Sequence, residues 1–271
     1  MKIFKNKINL INEISSIKDI AFVPTMGSIH KGHLSLIKIA KNESKNILVS
    51  IYINPKQFNS SLDYKKYPRN LYKDINVLKK NKIKYLYIPN FNDVYGFKTN
   101  SPIYVDKFSK ELCGRFRPDH FNGVINVINR FLEIIKPKKI YLGMKDLQQL
   151  SLIKSHIIKN KINTNVVACP TIRERNGVAL SSRNIKLTKK QLNIASKIFK
   201  LLKHEKKQIR ISILNKKKNK ILNEIKQLGA SKIDYLECVN FKTLNFKKVI
   251  KTKFNIFIAY YIGKVRLIDN L

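Results

Sequence analysis

His30, Gly32 and His33 lie within residues 24–36, PTMGSIHKGHLSL, and their types and spacing suit phosphate chemistry. The apolar run 20–23 reads as a short buried strand. Leu34, Ile37 and Ala40 then recur at the spacing of one helix face. The chain is expected to leave a strand, turn at Pro24 and Gly27, and start a helix near Gly32. A helix start offers free backbone N–H groups and the positive end of the helix dipole, which suit an anion. Gly32 has no side chain to hold a ligand away from the backbone. Two imidazoles can donate hydrogen bonds to a phosphate, most effectively where negative charge builds up in a transition state. The competing reading of each histidine is a structural residue at a turn.

Further along, Asn54-Pro55-Lys56-Gln57-Phe58 follows the apolar run 47–53. Its amides can bond a carboxylate or hydroxyl without carrying charge, or form an ordinary Asn-Pro turn. Asp74 follows Tyr67-Pro68-Arg69 and is a candidate Mg²⁺ contact, since Mg²⁺ is held by one or two carboxylates together with substrate phosphates; the alternative is a carboxylate on a helix surface. Arg117 and His120 precede a strongly apolar helical segment and form a second candidate anion site, with capping or loop bracing as the alternative. Lys145 sits at another expected helix start, where it could meet a phosphate as a point charge, and Asp146 beside it could cap that helix. Ser181, Ser182 and Arg183 lie in a Gly-containing loop whose two hydroxyls and guanidinium could surround a polyphosphate.

These candidates follow strand-like runs at 20–23, 47–53, 85–88, 140–142 and 165–168, which alternate with helix-like runs at 71–81, 121–135 and 147–159. Such alternation predicts an α/β fold with a Rossmann-like parallel sheet and helices on both faces. Ligands in such folds sit at the carboxyl ends of the strands. Beyond about 171 the pattern becomes two helices, 188–204 and 211–228, followed by strand-like runs at 233–239, 256–262 and 265–268. This predicts a smaller α+β domain. The expected division is 1–175 for the Rossmann-like domain and 176–271 for the C-terminal one, with the boundary near 171–187.

The charge is extreme, with 55 Lys+Arg against 17 Asp+Glu and a net charge of +38. Nucleic acid is one reading of such a surplus. Lysine is spread along the whole chain, however, not gathered into one stripe with interleaved aromatics, so compositional bias is favoured over a nucleic-acid partner. No apolar run approaches the ~20 residues that span a bilayer. The N-terminal residues lack the apolar core of a signal peptide, so a cytoplasmic protein is expected. Cys113, Cys169 and Cys238 are far apart and suggest neither a zinc site nor a disulfide framework.

The segment PTMGSIHKGHLSLI resembles the signature of the pantothenate synthetase (pantoate–β-alanine ligase) family, within the nucleotidyltransferase superfamily that carries the H-x-G-H motif. VSIYINPKQF, the Y-P-R segment with its later acid, L-x-G-x-x-R-P-x-H-F-x-G-V, G-x-K-D-x-Q-Q and ALSSRN are similar to further family motifs, in the same order. Two positions depart from the family pattern: Lys31 and Met144 stand where Glu is common. The resemblance implies ATP-dependent condensation of D-pantoate with β-alanine through a pantoyl adenylate, with AMP and pyrophosphate released. It implies catalytic roles for His30, His33 and Lys145. It implies an ATP site of Met26, His30, Gly32, His33, Gly143, Lys145, Asp146, Ser181, Ser182 and Arg183. Pantoate would meet Asn54, Gln57, Arg117, His120 and Gln149, and Mg²⁺ would meet Asp74. It further implies a homodimer whose C-terminal domain acts as a lid. The alternatives are another adenylyltransferase of the superfamily, or an RNA-binding protein with a vestigial nucleotide site.

Overall fold

Strands that are buried on both faces read as near-continuous apolar runs. The third strand of this protein, Ile47–Ile51 (ILVSI), is buried throughout. The computed structural model describes residues 1–208, 211–240 and 254–271. The chain divides into two units, Met1–Pro170 and Thr171–Leu271, with the division a few residues before 175.

In the first unit the order is β1 (Lys2–Phe4), α1 (Lys7–Ile14), β2 (Ala21–Thr25), α2 (Lys31–Glu43), β3 (Ile47–Ile51), α3 (Ser61–Lys65) and α4 (Leu71–Lys80). There follow β4 (Tyr85–Tyr87), α5 (Phe91–Tyr95), α6 (Cys113–Phe116), α7 (His120–Ile135), β5 (Lys139–Gly143), α8 (Leu147–Lys159) and β6 (Asn165–Cys169). The six strands form one sheet, ordered β1-β4-β3-β2-β5-β6, and every pair is parallel. Alternate residues of β2 serve opposite faces. Ala21 and Val23 join Ile47, Val49, Leu86 and Tyr141 in a core with Ile37 and Ala40 of α2 and Leu78 of α4. On the other face Phe22 meets Phe131 of α7 edge-on, with ring centroids 5.7 Å apart. Helix α7 ends at Lys136, in the left-handed region at φ 47°, where Pro137 prevents a further turn.

The strand order reverses between β2 and β5, the usual place for a ligand crevice. Pairing of β2 with β3 runs to Thr25↔Ile51, but pairing of β2 with β5 stops at Phe22↔Ile140. The carboxyl ends of β2 and β5 are therefore unpaired with each other, and each leads directly into a turn that carries candidate site residues.

The second unit contains α9 (Lys189–Gln208), α10 (Ile211–Gln227), β7 (Lys232–Val239), β8 (Asn255–Ile262) and β9 (Val265–Asn270). Its strands form an antiparallel sheet in the order β7-β8-β9. Ala195, Ile198 and Leu202 of α9, with Ile221 and Ile225 of α10, pack against Leu236, Ile256 and Ile258 of the strands. The expected fold, a Rossmann-like parallel sheet followed by a smaller α+β region, is the one observed. Strand β1 and helix α1 lie outside the expected elements. A three-residue strand leaves no readable alternation, and α1 is specified by a local signal, the Asn6 side chain accepting hydrogen bonds from Ile8 and Asn9 N–H. Among the described residues, no helix is long and apolar enough to cross a membrane.

Candidate active site

The turn from β2 into α2 has no regular backbone pairing, and polar side chains hold it instead. Thr25 Oγ1 donates to the Ser50 carbonyl (2.7 Å) and accepts from Gly27 N–H (3.1 Å). Gly27 and Ser28 both have positive φ, 75° and 52°, which glycine adopts freely and serine does not. Asp74 of α4 offsets that cost. Its Oδ2 accepts Ser28 N–H and its Oδ1 accepts Ile29 N–H, both at 2.7 Å.

The structure places Asp74, the candidate metal contact, against the backbone of this turn. The residue is only 3 % exposed, and both of its oxygens hold the backbone that leads into His30. Among the described residues no group of three or more His, Cys, Asp or Glu side chains could hold a metal ion. The Asp74→Asn protein should lose one of the two turn hydrogen bonds, because an amide nitrogen cannot accept. We expect at least a tenfold fall in kcat with the Mg²⁺ dependence unchanged. Parallel Mg²⁺ titrations of parent and variant check this.

His30 is the N-cap of α2. Its Nδ1 accepts Gly32 N–H (3.1 Å), and its own backbone N–H donates to His33 Nδ1 (3.4 Å). This is the capping-box arrangement with histidines at both positions. The two rings stack with centroids 4.1 Å apart. With both Nδ1 atoms accepting, each neutral ring carries its proton on Nε2. Burial pushes the His30 pKa down to about 4, helped by the Lys145 charge, while Asp146 pulls it part of the way back. Burial pushes His33 down to about 3, helped by His30 and then Lys145. The pair is thus a set of neutral Nε2–H donors at pH 7.

Both shifts make stability depend on pH. Folded pKa values below the unfolded value near 6.5 mean that the unfolded chain takes up protons first as pH falls. The stability contribution is complete above about pH 6.5 and is lost as pH falls from there towards 4 and 3. The melting temperature should fall across that window, while kcat should show no ionisation near pH 6.5. Calorimetry and a pH–rate profile check the two halves.

Lys145 lies in the short turn Met144–Asp146 between β5 and α8. Its charge is felt by both imidazoles. Asp146 occupies the N-cap position of α8 without a capping hydrogen bond; its carboxylate instead lies 3.4 Å from Lys145 Nζ. At Gly143 a Cβ would meet nothing within 4 Å, so the backbone at the end of β5 is open to a ligand. The two following glutamines differ. Gln148 is buried; its Nε2 donates to the carbonyls of Phe108 and Glu111, and its Oε1 accepts Cys113 N–H. Gln149 is partly exposed and, among the described residues, its amide is not committed in this way.

Gln57 sits at the end of the short turn Pro55–Gln57 and donates to Met26 Sδ (2.7 Å). Asn54, expected to meet substrate, is 1 % exposed and fully engaged. Its Nδ2 donates to Gly123 O (3.0 Å) and Gln57 Oε1 (3.3 Å), and its Oδ1 accepts Tyr95 O–H and Lys56 N–H. It is a positioning residue for Gln57. His120 also contacts this turn. Its Nδ1 lies 2.6 Å from the Gln57 carbonyl, to which it donates, and its Nε2 lies 3.1 Å from Arg117 Nη1. Arg117 Nη2 also donates to the Gln57 carbonyl (3.3 Å). Both side chains hold the Gln57 backbone, the bracing alternative, and the Gln57 side chain is itself buried, with its amide between Asn54 and Met26.

Sequence reasoning missed Thr25 and Tyr95, which are signalled by no motif. The close approach at Gly123 could have been suspected from a glycine in the first turn of so apolar a helix.

In the second unit Ser181 caps the short turn Ser182–Lys186, accepting Arg183 N–H (3.2 Å). The preceding loop is fixed by Arg173, whose guanidinium makes a bidentate pair with Asp269 of β9 (2.6 and 2.8 Å) and donates to Gly177 O and Asn270 O. The C-terminal strand thereby positions the Ser181–Ser182–Arg183 segment.

The fold is shared with known proteins. Residues 2–271 match the family model described as pantoate-beta-alanine ligase. The chain is similar to the pantothenate synthetase of Pseudothermotoga lettingae, 39% identical over 263 residues, covering 96% of this chain and 94% of that one. It is similar also to that of Endomicrobium trichonymphae, 40% identical over 281 residues, covering 100% and 97%. Among solved structures, the pantoate-beta-alanine ligase of Francisella tularensis, complexed with beta-gamma ATP and beta-alanine, superposes with a TM-score of 0.85 at 38% identity, covering 100% of this chain and 97% of that one. The Thermus thermophilus enzyme gives a TM-score of 0.90 at 30% identity, covering 100% and 99%. With the fold shared and the match running nearly end to end, the chain belongs to the pantoate–β-alanine ligase family.

Proposed function

We propose that the chain carries out ATP-dependent ligation of D-pantoate to β-alanine in two half-reactions. A carboxylate oxygen of pantoate attacks the α-phosphorus of ATP, and the bond from that phosphorus to the bridging oxygen breaks. Pyrophosphate leaves with the electron pair, and pantoyl adenylate remains. The β-alanine amine then attacks the acyl carbon, the bond to the AMP oxygen breaks, and the amine gives up a proton. AMP and pantothenate are the products.

No protein nucleophile is needed, so the enzyme contributes position and charge stabilisation. The observation that carries this reading is the pair of neutral Nε2–H donors of His30 and His33, within reach of the Lys145 charge, where β2 and β5 part. Neutral donors neither lose a proton to the departing pyrophosphate nor bind the product as tightly as cations would. Lys145 supplies the charge. Gln57, held from four sides, and the available Gln149 would orient pantoate. Met26, Gly32 and Gly143 would border ATP, and Ser181, Ser182 and Arg183 would serve its phosphates. Mg²⁺ would be carried on the ATP phosphates and not by Asp74. The second unit would act as the lid over an adenylate that water destroys. Membership of a biosynthetic enzyme family supports a cytoplasmic homodimer.

Pantoate labelled with ¹⁸O in its carboxylate tests the route. One label should appear in the phosphate of AMP. Unlabelled AMP alongside labelled pantothenate would exclude the acyl adenylate.

A further inference from the structure

The surplus positive charge is not used by any contact described above. With 55 Lys+Arg and 17 Asp+Glu, no arrangement of ion pairs removes it. Several acids are already paired with cations: Glu13 with Lys2, Glu43 with Lys139, Glu111 with Arg115 and Glu237 with Lys218. A net charge of this size raises a potential of several kT over a protein surface, and a low-dielectric crevice concentrates it. At the phosphate-binding turn, Asp74 is buried against backbone N–H groups and Asp146 lies beside Lys145. The first turn of α2 contains no acid, and its first residue is the exposed Lys31. A lysine there opposes the helix dipole, so helix formation does not account for it.

We propose that this field captures the two anionic substrates, ATP and pantoate, from solution, with Lys31 as its local end beside the histidine pair. β-Alanine, a zwitterion of no net charge, enters without this help. The proposal rests on the ligase reading above and adds to it a selection of substrates by charge.

Salt separates the effects, because the screening length shortens from about 30 Å at 0.01 M to about 8 Å at 0.15 M. Between those ionic strengths kcat/KM for ATP should fall about tenfold. The value for pantoate should fall by less, and that for β-alanine should stay within about twofold. Lys31→Glu should lower kcat/KM for ATP about threefold at low salt, and the difference should vanish at high salt. Glutamate suits the start of a helix, so folding is not at risk. Equal salt effects on all three substrates, or a Lys31→Glu defect that persists at high salt, would overturn the proposal. Absence of pantothenate at every salt concentration would instead overturn the ligase reading.

Discussion

Replacing His33 by asparagine is expected to lower kcat about 100-fold while leaving the melting temperature close to that of the parent. The asparagine Oδ1 takes the place of Nδ1 and can still accept the His30 backbone N–H, a bond of 3.4 Å in the parent. No group of asparagine reaches the place of Nε2, so the donor to the phosphates is lost. Removing one preorganised donor from a site of charge development costs on the order of 10²–10³ in rate. His33→Gln, whose amide N–H reaches closer to the Nε2 place, should retain more activity. Rates of AMP formation, with calorimetry of all three proteins, check the prediction. A His33→Asn protein with the parent's kcat would remove His33 from the mechanism.

The second large effect is expected at Gly123, one turn into α7. A Cβ there would lie 2.2 Å from Lys56 O, 2.5 Å from Lys56 C and 2.8 Å from Gln57 N. All three are backbone atoms, so no side chain can rotate out of the way. Alanine favours the helix by about 1 kcal/mol, but overpacking of this kind costs roughly 1–3 kcal/mol. The relief available is to move the Pro55–Gln57 turn away from α7, and with it the Asn54 bond to Gly123 O and the His120 bond to Gln57 O. A displacement of about 1 Å in a positioning group costs roughly 10²-fold in rate. Gly123→Ala should therefore raise KM for pantoate at least tenfold. KM for ATP should rise less, because the displaced turn reaches Met26 through Gln57 but the Thr25 and Asp74 bonds that shape the β2–α2 turn do not involve it. Steady-state kinetics with each substrate varied in turn check this.

The fold is legible in the sequence because its strands are continuous apolar runs and its helices carry clear periodic faces. Helix α8 spans Leu147–Lys159, the stretch marked by periodicity. Of the candidate site, the structure brings together His30, His33 and Lys145, which their types and spacing single out in the sequence. The site is less legible where a polar residue within a motif has its hydrogen bonds already taken. Asp74, Asn54 and His120 each read in the sequence either as a ligand or as a structural residue, and in the structure each bonds a backbone segment next to another candidate residue. Spacing shows which groups are near a site. It does not show which lone pairs are spent on the backbone. Gln148 and Gln149 illustrate the same point: successive helical residues point about 100° apart, and only one of the two is buried.

The most direct test of the adenylate route is pyrophosphate release from ATP and D-pantoate, measured with and without β-alanine. With pantoate alone, a burst of about one pyrophosphate per site is expected, as for any intermediate that accumulates before its acceptor arrives. Steady turnover, with AMP and pantothenate formed in equal amounts, should begin only when β-alanine is added. Pyrophosphate release that requires β-alanine from the first turnover, or none at all in a folded protein that binds ATP, would contradict the route.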